Sequence, residues 1–276
     1  MIIFEDKQAV VFQSALFKVL STVIFTEDAV IVVDPAMLPH EVNEIRALVD
    51  ERIADRELIV IFTHGDFDHI VGYPEFKDAM KIGSLGMDKH ANKREKVQLI
   101  NDFDNEYYID RLGEREYPEF DEVIDHDGQT YQVGSTKLTF YLAPGHTSDG
   151  LFTVLESHGI WVAGDYLSDF ELPFLNDRSI AYKNTLEKAK EILASYNIRL
   201  MIPGHGSHTT DQKEILKRIH MAEKYIYALE EAVINKDMDK IAELGKQHPY
   251  PSSFTKSCHE ENVKVIRHEV KKPNDN

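Results

Sequence analysis

The sequence predicts a layered α/β sandwich, and three observations predict it. Short apolar runs flank a helix-period segment near the N-terminus. Later runs each end beside glycine and a histidine or aspartate. A chain of 276 residues with 42% hydrophobic content is long enough to bury a substantial core. The β-helix-β order sets helices on the faces of a sheet. Ala9–Val19, Thr22–Thr26 and Ala29–Val33 read as β-rich segments, the third stopped by Asp34-Pro35. Over residues 40–55, Val42, Ile45, Leu48, Val49 and Ile53 recur at the spacing of an amphipathic helix. Leu58–Phe62 follows as a buried strand.

Lys77–Tyr117 has no evident counterpart among common core elements; it mixes charge with Phe103, Tyr107, Tyr108 and Tyr117 and holds helical segments around 88–113. Strands resume at Gln129–Val133 and Lys137–Leu142 across a Val133-Gly134-Ser135 turn. Asn184 with Glu187 reads as a helix cap, and Asp211 with Glu214 as another. Ile215, Ile219, Ala222, Ile226, Leu229 and Val233 form the buried stripe of the second helix. From about residue 212 the chain reads as helical, through 237–246 and 260–270, with Gly245 as a stop and Lys271–Asn276 as a frayed tail.

The chemistry lies at the strand ends. After Leu58–Phe62 comes Thr63-His64-Gly65-Asp66-Phe67-Asp68-His69, with two imidazoles and two carboxylates in six residues. Neutral imidazole and ionised carboxylate are the ligands that borderline and hard divalent metals prefer, and a bound cation offsets the cost of crowding carboxylates. A solvated acidic turn is the alternative for this segment alone. Three further segments share the pattern: Ala143-Pro144-Gly145-His146-Thr147, Val162-Ala163-Gly164-Asp165 and Pro203-Gly204-His205-Gly206. Loops at the ends of neighbouring strands can converge on one point.

These four motifs, in this order, resemble the metallo-β-lactamase superfamily, whose pattern is HxHxDH, then a single His, an Asp and a last His. The resemblance spans roughly residues 1–210 and implies a four-layer αββα sandwich with a metal-binding catalytic domain over 1–210. Residues 211–276 would then be a C-terminal helical extension packed on the same domain. By the resemblance, His64, Asp66 and His146 hold a first metal, Asp68, His69 and His205 a second, and Asp165 bridges both. Asp68 is also the residue that orients the attacking hydroxide and accepts its proton. The chain departs from the family at one position: Asp66 stands where the second His belongs, giving HxDxDH. Zinc is the first choice of metal; the carboxylate also suits iron or manganese, as in the flavodiiron relatives with HxExDH. Asp34 reads either as a group that orients a ligand or as a turn cap. Tyr166, just after the bridging Asp, and His208, three residues after His205, are substrate-binding candidates, with a structured loop and an ordinary surface histidine as the alternatives.

A formal charge of −17 argues against a dedicated nucleic-acid binder. No apolar stretch reads as a secretory signal or membrane span, and the single Cys258 suits a reducing cytosol, so the expected location is cytoplasmic. Cys258 reads as a bystander thiol, and histidines outside the motifs, such as His248 and His259, as surface or satisfied positions. The expected function is a metal-dependent hydrolase in which a metal-bound hydroxide cleaves a small ester-like substrate: a thioester, lactone or phosphoester. The alternative is an iron-dependent oxidoreductase of flavodiiron-like or dioxygenase-like type. The partner is a small-molecule substrate, without nucleic acid or membrane, and the helical tail offers a surface for a homodimer.

Overall fold

A computed structural model describes residues 1–246 and 253–271. Seven strands form the first sheet: β1 (Ile2–Glu5), β2 (Ala9–Gln13), β3 (Leu20–Phe25), β4 (Ala29–Val33), β5 (Glu57–Ile61), β6 (Met80–Ser84) and β7 (Glu122–Ile124), adjacent in chain order. β1 to β4 pair antiparallel and β4 to β7 parallel. The second sheet has the order β12 (Leu200–Ile202), β11 (Ile160–Val162), β10 (Leu151–Leu155), β9 (Thr136–Leu142), β8 (Gln129–Val133), with only β11 and β12 parallel.

The β-branched alternation of these strands divides their side chains between two faces. Ile24, Ile31, Ile59, Ile61 and Ile82 of the first sheet meet Phe140, Leu151, Ile160 and Ile202 of the second. The outer face of the first sheet, with Val23, Val30, Val32 and Val60, packs Val42, Ile45 and Val49 of α1 (Pro39–Arg52) and Ile100 of α4 (Lys93–Tyr107). The outer face of the second, with Phe152, Val154, Trp161 and Met201, packs α5 (Ser179–Ser195), α6 (Gln212–Ile234), α7 (Met238–Leu244) and α8 (Ser253–Lys271). Two short helices, α2 (Phe67–Ile70) and α3 (Leu85–Asp88), follow β5 and β6. The layers are therefore αββα. Among the described residues no helix is long and apolar enough to cross a membrane.

Several elements differ from the sequence reading. The first β-segment ends at Gln13; residues 14–19 turn, with Phe17 and Lys18 in the left-handed region at φ 54° and 51°. Met80–Ser84, placed in a stretch without a core counterpart, is a buried parallel strand. Its run, with Lys81 and Gly83, carries no strand signature. Gly83 is there because a Cβ would strike the Phe120 ring. Helix α5 starts at Ser179, not at Asn184. Tertiary contacts set that start: Ser179 N donates to Glu269 (2.9 Å), and its hydroxyl lies within hydrogen-bond distance of the carboxylates of Glu230 (2.7 Å) and Glu269 (2.5 Å). The cap at Asp211 stands, with its carboxylate accepting from Lys213 N (2.9 Å). Of the expected tail, Lys271 still closes α8, and the rest, like His248, lies outside the described residues.

Candidate metal centre

Strand β5 runs into Thr63 and His64, and α2 begins one residue after Asp66, so a short turn delivers His64, Asp66, Asp68 and His69 to one place. The loop after β9 brings His146, the loop after β11 brings Asp165, and the loop after β12 brings His205. Close approach at the last loop requires glycine: a Cβ on Gly204 would overlap the Asp165 carboxylate and crowd His69. All seven motif residues therefore meet in one cleft, and their donor atoms fall into three groups within 4.8 Å: His64–Asp66–His146, Asp68–His69–His205 and His64–His69–Asp165.

Asp165 spans the groups. Its Oδ2 lies 3.3 Å from His146 Nε2, 3.2 Å from His205 Nε2 and 3.7 Å from His64 Nε2, and its Oδ1 lies 3.1 Å from His69 Nε2. Asp66 Oδ2 lies 3.4 Å from His146 Nε2 and 3.6 Å from His64 Nε2, so the departing residue joins the two histidines in one group. Asp68 Oδ2 lies 3.4 Å from His205 Nε2 and 3.7 Å from His69 Nε2.

Hydrogen bonds behind the rings fix which nitrogen faces the cleft. His205 Nδ1 donates to the Phe17 carbonyl (2.8 Å) and His146 Nδ1 to the Phe174 carbonyl (2.9 Å). His69 Nδ1 donates to Asp34 Oδ2 (2.9 Å). Thr63 Oγ1 gives its proton to Asp34 (2.5 Å), so it accepts from His64 Nδ1 (3.1 Å). With every Nδ1 a donor, four Nε2 lone pairs face one another, His69 and His205 only 3.3 Å apart. His64 Nε2, His146 Nε2 and Asp165 Oδ1 are buried without a hydrogen-bond partner. Orphaned lone pairs beside carboxylates fit a cation, and imidazole with carboxylate is the donor set of zinc, iron or manganese.

The electrostatics agree. Burial opposes charge on His205, but Asp165, Glu171 and Asp68 outweigh it and push its pKa up to about 10. Burial is likewise outweighed at His69, chiefly by Asp165 and Asp68, and at His146, by Asp165 and Asp66; both are raised well above the ordinary value. The carboxylates demand positive charge at the Nε2 positions, where protons and a metal ion compete.

The two substrate-binding candidates fall elsewhere. Tyr166 is buried, its ring against Phe152 and Tyr182. Its hydroxyl accepts from His146 N (3.0 Å) and donates toward the Pro144 carbonyl (2.8 Å), so it holds the His146 loop, and it does not line the cavity beside the cleft. His208 packs at a tilt against the Phe4 ring of β1, with ring centroids 4.8 Å apart, and does not line the cavity beside the cleft. Asp34 does more than cap a turn, since it accepts from Thr63 N (2.8 Å) as well as from His69.

That cavity, about 210 Å³, is lined by His146, Asp165 and His205 together with Phe170, Leu172, Phe174, Met221 and Tyr225. Two functional residues in and around it escaped the sequence reading. Glu171 lines the cavity, and burial, with Asp165 and Asp68 adding to it against His205, pushes its carboxyl up to about 7. Its signal is one acid within the apolar run Phe170–Phe174. Lys96 of α4 donates to Asp66 Oδ1 (2.5 Å). Its signal is a lysine on the helical stripe that continues through Ile100 and Phe103. Cys258 also lines the cavity, but burial pushes its thiol up to about 12, which suits an inert side chain. His259 is a satisfied interior residue, accepting from Tyr225 OH (2.8 Å) and donating to the Ile241 carbonyl (2.9 Å).

An αββα sandwich with histidines and aspartates gathered at its strand ends defines a metallo-hydrolase-type fold. The model of the metallo-beta-lactamase superfamily matches residues 15–205, and the chain belongs to that family. It is 27% identical over 191 residues to a metallo-beta-lactamase type 2 of Bacillus sp. (strain 170), and 25% identical over 188 residues to that of Bacillus cereus. Each match covers 67% of this chain and 65% of the relative, so the chain spans just under two thirds of the length of either. Among solved structures, a metallo-beta-lactamase family protein from Thermus thermophilus superposes with a TM-score of 0.65 at 17% identity, over 95% of this chain and 94% of that one. The sec-alkylsulfatase of Pseudomonas sp. gives 0.68 at 12% identity, over 97% of this chain and 50% of its own. At those identities the two structures support the fold alone.

Proposed function

We propose that the protein is a metal-dependent hydrolase with a two-metal centre that cleaves a small ester-like substrate, a thioester, lactone or phosphoester. The observation that carries this reading is the set of four Nε2 lone pairs turned into one cleft with Asp66, Asp68 and Asp165. His64, Asp66 and His146 would hold one ion, Asp68, His69 and His205 the other, with Asp165 shared. Ions bound there supply Lewis acidity and acidify water to near neutrality, so no protein nucleophile is required. Zinc is the first choice, with iron or manganese as alternatives.

The chain's own residues supply the rest. Asp68, at the second group, is placed to orient the attacking water and take its proton. The Asp34–Thr63 pair holds two rings so that ligand geometry is set before substrate arrives. The aromatic and aliphatic walls of the cavity exclude water and accept an apolar acyl or alcohol part, and the volume limits that part to a small group. The names of the two Bacillus relatives point to β-lactams, which stand behind a small ester as the proposed substrate.

Metal content of protein purified without added metal, followed by turnover of a chromogenic ester and phosphodiester panel, tests the reading. Zinc or manganese at two per chain with turnover is expected. Stoichiometric iron with a redox-sensitive spectrum and no hydrolysis would favour the oxidoreductase alternative, which the carboxylate at Asp66 motivates. No metal uptake under any loading condition would overturn both.

A further inference from the structure

We propose that Lys96 and Asp66 act as one unit, in which the ammonium holds one carboxylate oxygen and leaves the other to the metal group. The pair then presents a single oxygen donor of near-zero net charge where the family motif has an imidazole. The inference rests on the metal-centre reading and goes beyond it, since it assigns a residue outside every motif.

The geometry divides the carboxylate. Lys96 Nζ lies 2.5 Å from Oδ1, whereas Oδ2 faces His146 Nε2 at 3.4 Å and His64 Nε2 at 3.6 Å. Both partners are largely buried, with side-chain exposures of 16% for Lys96 and 19% for Asp66, so water screens the pair weakly. Lys96 stands on the face of α4 that buries Ile100, and that helix packs against α2, which begins one residue after Asp66. The charges of Asp149 and Asp68 also favour the protonated ammonium. Asp149 is 2% exposed and neither of its oxygens has a hydrogen-bond partner, so a cation is needed on this side of the cleft.

A positive charge this close opposes a second cation. Lys96 therefore tempers metal affinity at the His64–Asp66–His146 group while fixing the orientation of its carboxylate. It is a positioning residue, and its role shows in metal binding without any turnover.

Zinc and cobalt(II) affinities, measured by chelator competition on the full chain, and the cobalt visible spectrum test this. Lys96→Met is expected to tighten binding of one metal at least tenfold and to change the spectrum, because Asp66 is released. Lys96→Gln, which keeps a donor and removes the charge, should tighten binding similarly but leave the spectrum close to the parent's. Asp66→His should weaken binding at least tenfold, because an unpaired lysine then faces the ion. Asp66→His with Lys96→Met should recover to within about threefold of the parent. Thermal melts of the metal-free variants check folding, and Lys96→Arg should match the parent in both readouts. Unchanged or weaker binding in both Lys96→Met and Lys96→Gln, or a double variant no tighter than Asp66→His, overturns the inference alone. A parent chain that takes up no metal overturns both this and the metal-centre reading.

Discussion

Asp34 shows how much of the centre depends on residues that do not touch the cleft. It sits at φ 47°, just past β4, and its carboxylate takes Thr63 N, Thr63 Oγ1 and His69 Nδ1. That arrangement forces the tautomer of His69 directly and that of His64 through the threonine hydroxyl. Asp34→Asn should weaken metal binding at the Asp68–His69–His205 group by about 10- to 100-fold, the usual cost of losing such a partner, as read by chelator competition. Tyr166→Phe removes a hydroxyl that serves His146 N and the Pro144 carbonyl. Denaturant unfolding should show a loss of about 1–2 kcal/mol. The ligand-type residues were legible because they crowd the ends of apolar runs. Lys96 and Glu171 were not, because each acquires its meaning from groups on other elements: Lys96 from Asp66, and Glu171 from its burial beside His205, Asp165 and Asp68.

At the scale of the element, α1 is held at its start by a carboxylate rather than by propensity. Glu41 accepts from Leu38 N (2.9 Å), Met37 N (3.3 Å) and Ala15 N (3.0 Å), tying the helix to the turns after β4 and β2. Burial raises the Glu41 pKa, but these backbone donors outweigh it and hold it below its ordinary 4.5. A depressed folded-state value means that the stabilisation is complete above the unfolded value near 4.5 and is lost as pH falls through the folded one. Glu41→Gln should therefore be destabilised at neutral pH and should lose part of the parent's acid sensitivity below pH about 5, in urea midpoints followed against pH. Helix α5 carries the same lesson. Its first turn is set by Glu230 of α6 and Glu269 of α8, so the local cap signal at Asn184 lies well past the actual cap at Arg178.

Across the whole molecule, three apolar layers lock the two sheets and two helical faces together, and the metal cleft opens where strands of both sheets end. Phe140, fully buried between the sheets, should cost about 3–5 kcal/mol when replaced by alanine, measured by chemical denaturation. Stripping metal should also lower stability, because the gathered lone pairs and carboxylates lose their cation. At free metal a hundredfold above its dissociation constant, one bound ion would contribute about 2.7 kcal/mol, so a chelator should lower Tm and added zinc restore it.

The sequence by itself determined the layered α/β class, the order of most strands and the seven residues gathered in the cleft. Each of those is written locally, in alternation, in glycine beside a strand end, and in ligand types repeated at four such ends. Only the tertiary structure decided the tautomers of the rings, the strand at Met80–Ser84, the removal of Tyr166 and His208 from the cavity, and the partner of Asp66. Those outcomes rest on contacts between distant segments, where packing and charge compensation override local pattern. The divided carboxylate of Asp66, one oxygen for Lys96 and one for the histidines, is such a contact, and no reading of residues 63–69 alone contains it.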